Sequence, residues 1–320
     1  VVRPSLYDLD RPTLAAILAD LGAPRYRADQ VWHWLYRRLA QSVDAMHNVP
    51  RELRARLVEV ADLPTLEPVA VTTSKDGLAE KVLFRLADGE LVETVLMHYV
   101  DPADMHSAGP ADDAADAADD VVDAAGDVAD AAGGAADGVG HAADAVGAAV
   151  GPGLARIHGG RHTVCLSTQV GCAMGCVFCA TGQMGLVRDL SRGECVAQVV
   201  WCARRLAVDG ARLSNVVFMG MGEPLANWAA TWGTVETLVD PDALALSPRR
   251  LTISTVGIVP GIRRLASAGR PVRLAVSLHA ADDELRARLV GVNGTYPLPA
   301  ILDACRAYQA AGGRRLTFEY

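Results

Sequence analysis

The strongest constraint on this chain is a run of eight residues, Cys172-Ala173-Met174-Gly175-Cys176-Val177-Phe178-Cys179, with three cysteines at C-x-x-x-C-x-x-C spacing. Thiolates are the ligands of iron–sulfur clusters. Three of them hold three irons of a four-iron cluster and leave the fourth iron open to a small molecule. The spacing is too tight for one helix to present all three. It predicts a loop wrapped around the bound group, with Gly175 and the following Thr181-Gly182 supplying backbone freedom. The other reading is three buried or zinc-binding cysteines. A structural zinc takes four ligands, usually in two pairs, and the chain has no second C-x-x-C pair.

Seven cysteines, an odd number with three closely spaced, suit a reducing cytoplasm better than a disulfide framework. The start, Val1-Val2-Arg3-Pro4, lacks a methionine and an apolar signal core. No run of about eighteen apolar residues is present, so no membrane span is expected. At 320 residues and 51% hydrophobic, the chain has room for about two domains and a sizeable core. The net charge of −8 is uneven: residues 101–153 hold twelve aspartates and no Glu, Lys or Arg, leaving +4 for the rest. A mildly basic body permits a phosphate-backbone partner without requiring one.

Residues 1–65 read as helical. Leu14, Ile17, Leu18 and Leu21 give Arg11 to Leu21 one apolar face, ended by Gly22 and Pro24. A second helix spans Tyr26 to Leu39, with Val31, Trp34, Leu35 and Leu39 inward and Arg27, His33, Arg37 and Arg38 on the other faces. A third runs from about Pro50 to Val60. Residues 66–100 switch to a strand period and predict a β-hairpin, Lys81 to Leu86 and Glu90 to Leu96, around Ala87-Asp88-Gly89. Glu93 reads as an acidic residue on its exposed face. Residues 101–153 are Ala, Asp, Gly and Val, with Asp116, Asp123, Asp130, Asp137 and Asp144 seven apart. The many glycines oppose a stable helix, and a flexible acidic insertion is expected.

Residues 154–320 alternate strand and helix, the pattern of βα units and a parallel sheet. Strands are expected at His162–Ser167, Asn215–Met219, Arg250–Ser254, Val272–Ser277 and Arg315–Glu319, with helices over Gly193–Ala207 and Ala281–Leu289. Cys195, Cys202 and Cys305 fall on helices and read as core. Cys165 ends the first strand, where a lone cysteine is usually packing. Phe218-Met219-Gly220-Met221-Gly222-Glu223-Pro224-Leu225 follows the second strand. Its glycines let backbone approach a ligand, and its carboxylate can bind an ammonium group. Ser254 ends the third strand; Ser277, Leu278 and His279 end the fourth. Side chains there point into a barrel mouth. Helix capping by Ser254 and ordinary loop chemistry for His279 are equally open from residue type alone.

The cysteine run resembles the C-x-x-x-C-x-φ-C signature of radical S-adenosylmethionine (SAM) enzymes, with Phe178 as φ. The longer string Cys165 to Gly182 is similar to one family, the rRNA/tRNA adenine-C2 methyltransferases (RlmN, with its relative Cfr), and the likeness runs from about Pro24 to Tyr320 around one insertion. The resemblance implies an α/β fold, a radical SAM partial (βα)6 barrel with a small N-terminal helical domain that helps grip RNA. Five of six barrel strands are visible, and the mobile, methyl-carrying cysteine of the family is not found before Tyr320, so a C-terminally truncated chain is expected. By resemblance, Cys172, Cys176 and Cys179 hold one 4Fe-4S cluster. Gly222, Glu223, Ser254, Ser277, Leu278 and His279 contact SAM. Val92-Glu93-Thr94-Val95 matches the motif whose glutamate, here Glu93, is the proton acceptor. Cys165 becomes a second thiol that resolves the enzyme–RNA adduct through a disulfide with the mobile cysteine. The implied substrates are 23S rRNA and tRNA, with an electron donor such as flavodoxin and a cytoplasmic monomer. Adenine C2 is an electron-poor carbon that polar methyl transfer cannot attack, which is why radical chemistry is needed. The alternatives are Cfr-like C8 methylation and a non-methylating radical SAM protein such as an activase.

Overall fold

The computed structural model describes residues 3–99, 160–313 and 315–320. The acidic insertion expected at 101–153 lies outside the described residues.

Three helices open the chain: α1 (Arg11–Asp20), α2 (Tyr26–Tyr36) and α3 (Arg51–Val60). Asp10 starts α1 as an N-cap, accepting the Thr13 N–H at 2.8 Å. α2 buries Ala28, Val31, Trp32, Leu35 and Tyr36. Here the structure corrects the sequence reading. Trp32 is the buried indole, edge-on to Tyr36 at 4.6 Å one turn later. Trp34 lies near the surface and donates Nε1–H to Asn48 Oδ1 at 2.5 Å. The helix also stops short of Leu39, which takes a positive φ of 53°.

The strands are β1 (Glu67–Thr73), β2 (Ala79–Arg85), β3 (Leu91–Tyr99), β4 (Arg161–Cys165), β5 (Gln169–Gly171), β6 (Leu186–Asp189), β7 (Asn215–Phe218), β8 (Leu251–Thr255), β9 (Arg273–Ser277) and β10 (Leu316–Glu319). Between them lie α4 (Arg192–Val208), α5 (Trp228–Val239), α6 (Val259–Ser267), α7 (Asp283–Leu289) and α8 (Leu298–Ala310). One eight-stranded sheet has the order β1-β2-β3-β4-β7-β8-β9-β10, and β5-β6 form a separate hairpin. The five strands expected from the βα pattern, β4, β7, β8, β9 and β10, pair in parallel.

The expected hairpin is present as β2–β3, but it is not an appendage. A further strand, β1, pairs with β2, and β3 pairs antiparallel with β4, so the three strands extend the barrel sheet. β1 is exposed along nearly its whole length. Val69 and Val71 alternate along it but stay exposed, so its ladder with β2 holds it in place.

The two faces of the sheet divide the apolar residues. Val164, Val216, Phe218, Ile253 and Leu274 face the helices, in a core with Cys195, Val199, Cys202 and Leu206 of α4. Val95, Met97, Cys165 and Val217 form a smaller cluster on the other, inner face. α4 is buried on a second side as well: Val196, Ala197 and Val200 pack among the N-terminal helices. Its start is fixed by a capping box between Ser191 and Glu194. There Asp8 also accepts the Gly193 N–H at 2.5 Å. Farther along, Arg204 donates to Leu39 O at 2.8 Å and to the Tyr7 hydroxyl at 3.0 Å. The N-terminal helices are thus tied to the barrel's helical layer at both ends of one helix. Cys195, Cys202 and Cys305 are core residues, as expected.

Candidate active site

Parallel strands bring their C-terminal ends to one edge, and the cysteine loop sits there. Cys172 follows β5 and Cys179 precedes a single helical turn, Ala180–Gln183. Gly175 takes φ 61°, a left-handed conformation that glycine adopts without strain. The loop is anchored by Cys172 N–H to Gly185 O at 2.9 Å and by Val177 N–H to Leu289 O, the end of α7, at 3.1 Å. Cys172 and Cys176 are 8% and 5% exposed, and Cys179 is half-buried. Burial raises the Cys172 and Cys176 thiols, Cys176 to about 11, and the charges of neighbouring cysteines raise both further. Among the described residues no three His, Cys, Asp or Glu side chains converge on a single metal ion. A four-iron cluster takes each thiolate at a different iron and asks for a wider triangle. The donor set fits such a cluster: soft thiolates only, partly shielded from water.

Beside the loop is a cavity lined by Phe218 to Gly220, Gly222 to Pro224, Ser254 to Val256, Ser277, His279 and Glu319. Gly222 has φ 102°, and a Cβ on it would lie 2.6 Å from Gln169 Cβ. Gln169 in turn accepts the Glu223 N–H at 2.8 Å through Oε1 and donates Nε2–H to Asp189 at 2.7 Å. Glu223 is 2% exposed. Its carboxylate accepts N–H groups from Leu225 at 3.0 Å and Val256 at 2.9 Å, clamping the β7 and β8 loops together. Burial pushes its pKa up to about 7 against these hydrogen bonds. With the Thr255 hydroxyl bonded to it as well, the carboxylate still has acceptor capacity left for a ligand cation. The hydroxyls of Ser254 and Ser277 are 3.5 Å apart across β8 and β9. Ser254 caps no helix; Thr255 Oγ1 accepts the Gly257 and Ile258 N–H groups ahead of α6. His279 has φ 59°, uncommon for a residue with a side chain. Its ring meets Phe178 edge-on at 4.6 Å, joining the cavity to the cysteine loop. Burial lowers its pKa, and Arg286 lowers it further. Leu278 and His279 donate their N–H groups to Glu319 O at 2.9 and 3.0 Å.

Glu93 reaches the same edge because β3 runs antiparallel to β4. Val95 pairs with Cys165. One step on, Ser167 Oγ donates to Glu93 O at 2.5 Å and accepts the Met221 N–H at 2.9 Å. Glu93 is half-buried and paired with Lys81 Nζ at 3.2 Å. Cys165 is 7% exposed beside Val95 and Val217, and burial raises its thiol to about 12. All seven cysteines are free, the mobile cysteine expected to pair with Cys165 is not among them, and apolar side chains surround the Cys165 sulfur. Sequence reasoning missed Lys81, Gln169, Arg286 and Glu319. Only Glu319, at a strand's C-terminal end, carried a signal that could have found it.

Two family descriptions match the chain. Residues 5–63 match the "Ribosomal RNA large subunit methyltransferase N-terminal domain", and residues 166–320 match the "Radical SAM superfamily". The "Probable dual-specificity RNA methyltransferase RlmN" of Roseiflexus castenholzii is 41% identical over 352 residues, covering 99% of this chain and 73% of the relative. The chain belongs to the RlmN family of dual-specificity RNA methyltransferases. "Dual-specificity RNA methyltransferase RlmN 1" of Myxococcus xanthus is 42% identical over 316 residues, covering 99% of this chain and 72% of that relative. The "Crystal Structure of a radical SAM methyltransferase from Sphaerobacter thermophilus" superposes with a TM-score of 0.78 at 42% identity, covering 99% of this chain and 76% of that one. The RlmN family thus supplies the α/β radical SAM fold expected from the sequence. Among the described residues no helix is long and apolar enough to cross a membrane.

Proposed function

We propose that this chain is a radical SAM methyltransferase acting on C2 of an adenosine in 23S rRNA and in tRNA, by way of a methylcysteine intermediate. One observation carries the reading. The three-cysteine loop, the Gly222–Glu223 turn, and Ser254, Ser277 and His279 gather at one end of the parallel strands, with Glu93 on the adjoining strand. A bound four-iron cluster supplies one-electron reductive cleavage of SAM, the radical source that an electron-poor carbon needs. Cys172, Cys176 and Cys179 hold that cluster. Glu223 and the open backbone at Gly222 receive the amino end of SAM. Ser254, Ser277, Leu278 and His279 orient the rest. Glu93, steadied by Lys81, accepts the proton that leaves the methylated ring carbon.

Cys165 lies on the same inner face as Val95 and serves as the resolving thiol. Burial keeps its sulfur protonated at rest, so its attack needs a base. The N-terminal helices grip RNA, with His33, Arg37 and Arg38 exposed. The setting is cytoplasmic, the protein acts as a monomer, and a one-electron donor such as flavodoxin feeds it.

The test is to express the full gene product in a host lacking the modification and to digest its 23S rRNA and tRNA for mass spectrometry. The expected product is 2-methyladenosine. Finding 8-methyladenosine would move the assignment to Cfr-like chemistry. 5′-Deoxyadenosine with no methylated adenosine would leave a radical SAM protein of another kind.

A further inference from the structure

The helix against the cysteine loop carries a buried cation that the chemistry above does not use. Arg286, on α7, is 0% exposed. Its Nε–H donates to Leu278 O at 3.0 Å and Nη1 to Asn293 Oδ1 at 2.7 Å. Nη2 donates to Val256 O at 2.5 Å and Ser277 O at 3.2 Å. None of these acceptors is a carboxylate. Asp283, the acidic residue felt at Arg286, spends its Oδ1 on the N–H groups of Leu298 and Asn293. Burial draws the pKa of Arg286 down, yet a guanidinium stays protonated in proteins. A buried charge of this kind costs stability unless an opposite charge lies near.

Asp283 answers part of that charge without bonding to it, and the other opposite charge is at the cysteine loop. Leu289, at the end of the same helix, accepts the Val177 N–H between Cys176 and Cys179. A Cβ on Gly291, just past α7, would lie 3.4 Å from Met174 O, so this segment meets the cysteine loop a second time. The three carbonyls that Arg286 holds come from the ends of β8 and β9, which carry Ser254, Ser277, Leu278 and His279.

We propose that Arg286 is a positioning residue and the fixed counter-charge of the iron–sulfur group held at Cys172, Cys176 and Cys179, raising its reduction potential while holding the β8 and β9 loops by their carbonyls. The inference rests on the cluster assignment made above. A cluster on three thiolates is negatively charged and gains a further negative charge on reduction. A nearby cation in a dry setting therefore favours the reduced state.

The experiment compares the parent protein, Arg286→Lys and Arg286→Gln after anaerobic iron–sulfur reconstitution. Iron content, thermal melting and an electron paramagnetic resonance redox titration are measured. The expected result is a more negative midpoint in Arg286→Gln and a midpoint matching the parent in Arg286→Lys, which keeps the charge but not the planar fork. An iron-loaded Arg286→Gln with the parent's midpoint would overturn the proposal, as would a shift of equal size in both variants. If Arg286→Gln takes up no iron, Arg286→Lys decides: loading with the parent's midpoint supports the proposal, and failure to load overturns it. A parent that binds no iron would sink the cluster assignment and this inference together; a loaded parent with an unshifted Gln variant sinks only the inference.

Discussion

At the scale of single residues, the site depends on atoms that are missing as much as on those present. Gly222 is the sharpest case. Its φ of 102° and the 2.6 Å approach that a Cβ would make to Gln169 both exclude a side chain. Gly222→Ala must distort the turn that lines the cavity, at about 1–3 kcal/mol for backbone strain of this kind. SAM binding should weaken by roughly tenfold or more, measured by equilibrium dialysis; an unchanged affinity would show that the turn does not bear on the ligand. The chemistry-bearing residues Cys172, Cys176, Cys179, Gly222 and Glu223 were legible because their signal is local spacing. Lys81 was not, because it meets Glu93 only through the β2–β3 register, in which it pairs with Val95. Arg286 was hidden for a similar reason: its acceptors lie 7 to 30 residues away in the chain. Trp32 and Trp34 could not be ranked from a helical period when the helix packs over so wide an arc.

At the scale of elements, the βα pattern gave all five parallel strands to within a few residues: β4, β7, β8 and β9 bury apolar side chains between helical stretches, and β10, though partly exposed, follows α8 at the same spacing. It gave β2 and β3 through their alternation. β1 was lost because it is solvent-exposed, and β5–β6 because three- and four-residue strands are too short to show a period. The junction of β3 with β4 carries a device no pattern announces. His98 and His162 pair in register with their Nδ1 atoms 2.9 Å apart, so one must donate and the other accept. Glu80 on β2 lies 3.7 Å from His98 Nε2, and Arg205 on α4 lies 3.3 Å from Glu80, with Asp209 beyond. Burial, then the neighbouring His98, lowers the His162 pKa below its ordinary 6.5. The unfolded chain therefore takes up a proton that the folded chain refuses, and stability falls as pH drops below about 6.5. Glu80 is lowered below 4.5, because His98 and Arg205 outweigh its desolvation, so its share is lost only at more acid pH. Glu223, raised to about 7, works the other way over this window and His279 the same way, so the check is a difference: the melting-temperature advantage of the parent over His162→Asn should shrink between pH 7 and pH 5. An advantage that does not shrink would place the sensitive group elsewhere.

At the scale of the whole molecule, the question is what the segment 101–153 contributes to a protein whose core is already joined across it. Tyr99 pairs directly with Arg161 at the open end of the β3–β4 ladder, and the Arg161 guanidinium lies 4.6 Å above the Tyr99 ring. The two points between which the segment runs are therefore neighbours, and a short turn can bridge them. The core of described residues runs from β2 through β10 and is built of large apolar side chains. Between residues 103 and 152 the sequence offers one methionine and two prolines, and otherwise Ala, Val, Gly and polar residues. Such a composition can bury little apolar surface. Replacing residues 103–152 with a short Gly-containing turn should leave iron loading and SAM affinity at their parent levels. The melting temperature should move by less than about 4 °C, the shift expected for roughly 1 kcal/mol in a domain of this size. A fall of more than about ten degrees would mean over 2 kcal/mol of lost contacts, and the segment would then have to be counted as part of the fold rather than as an insertion into it.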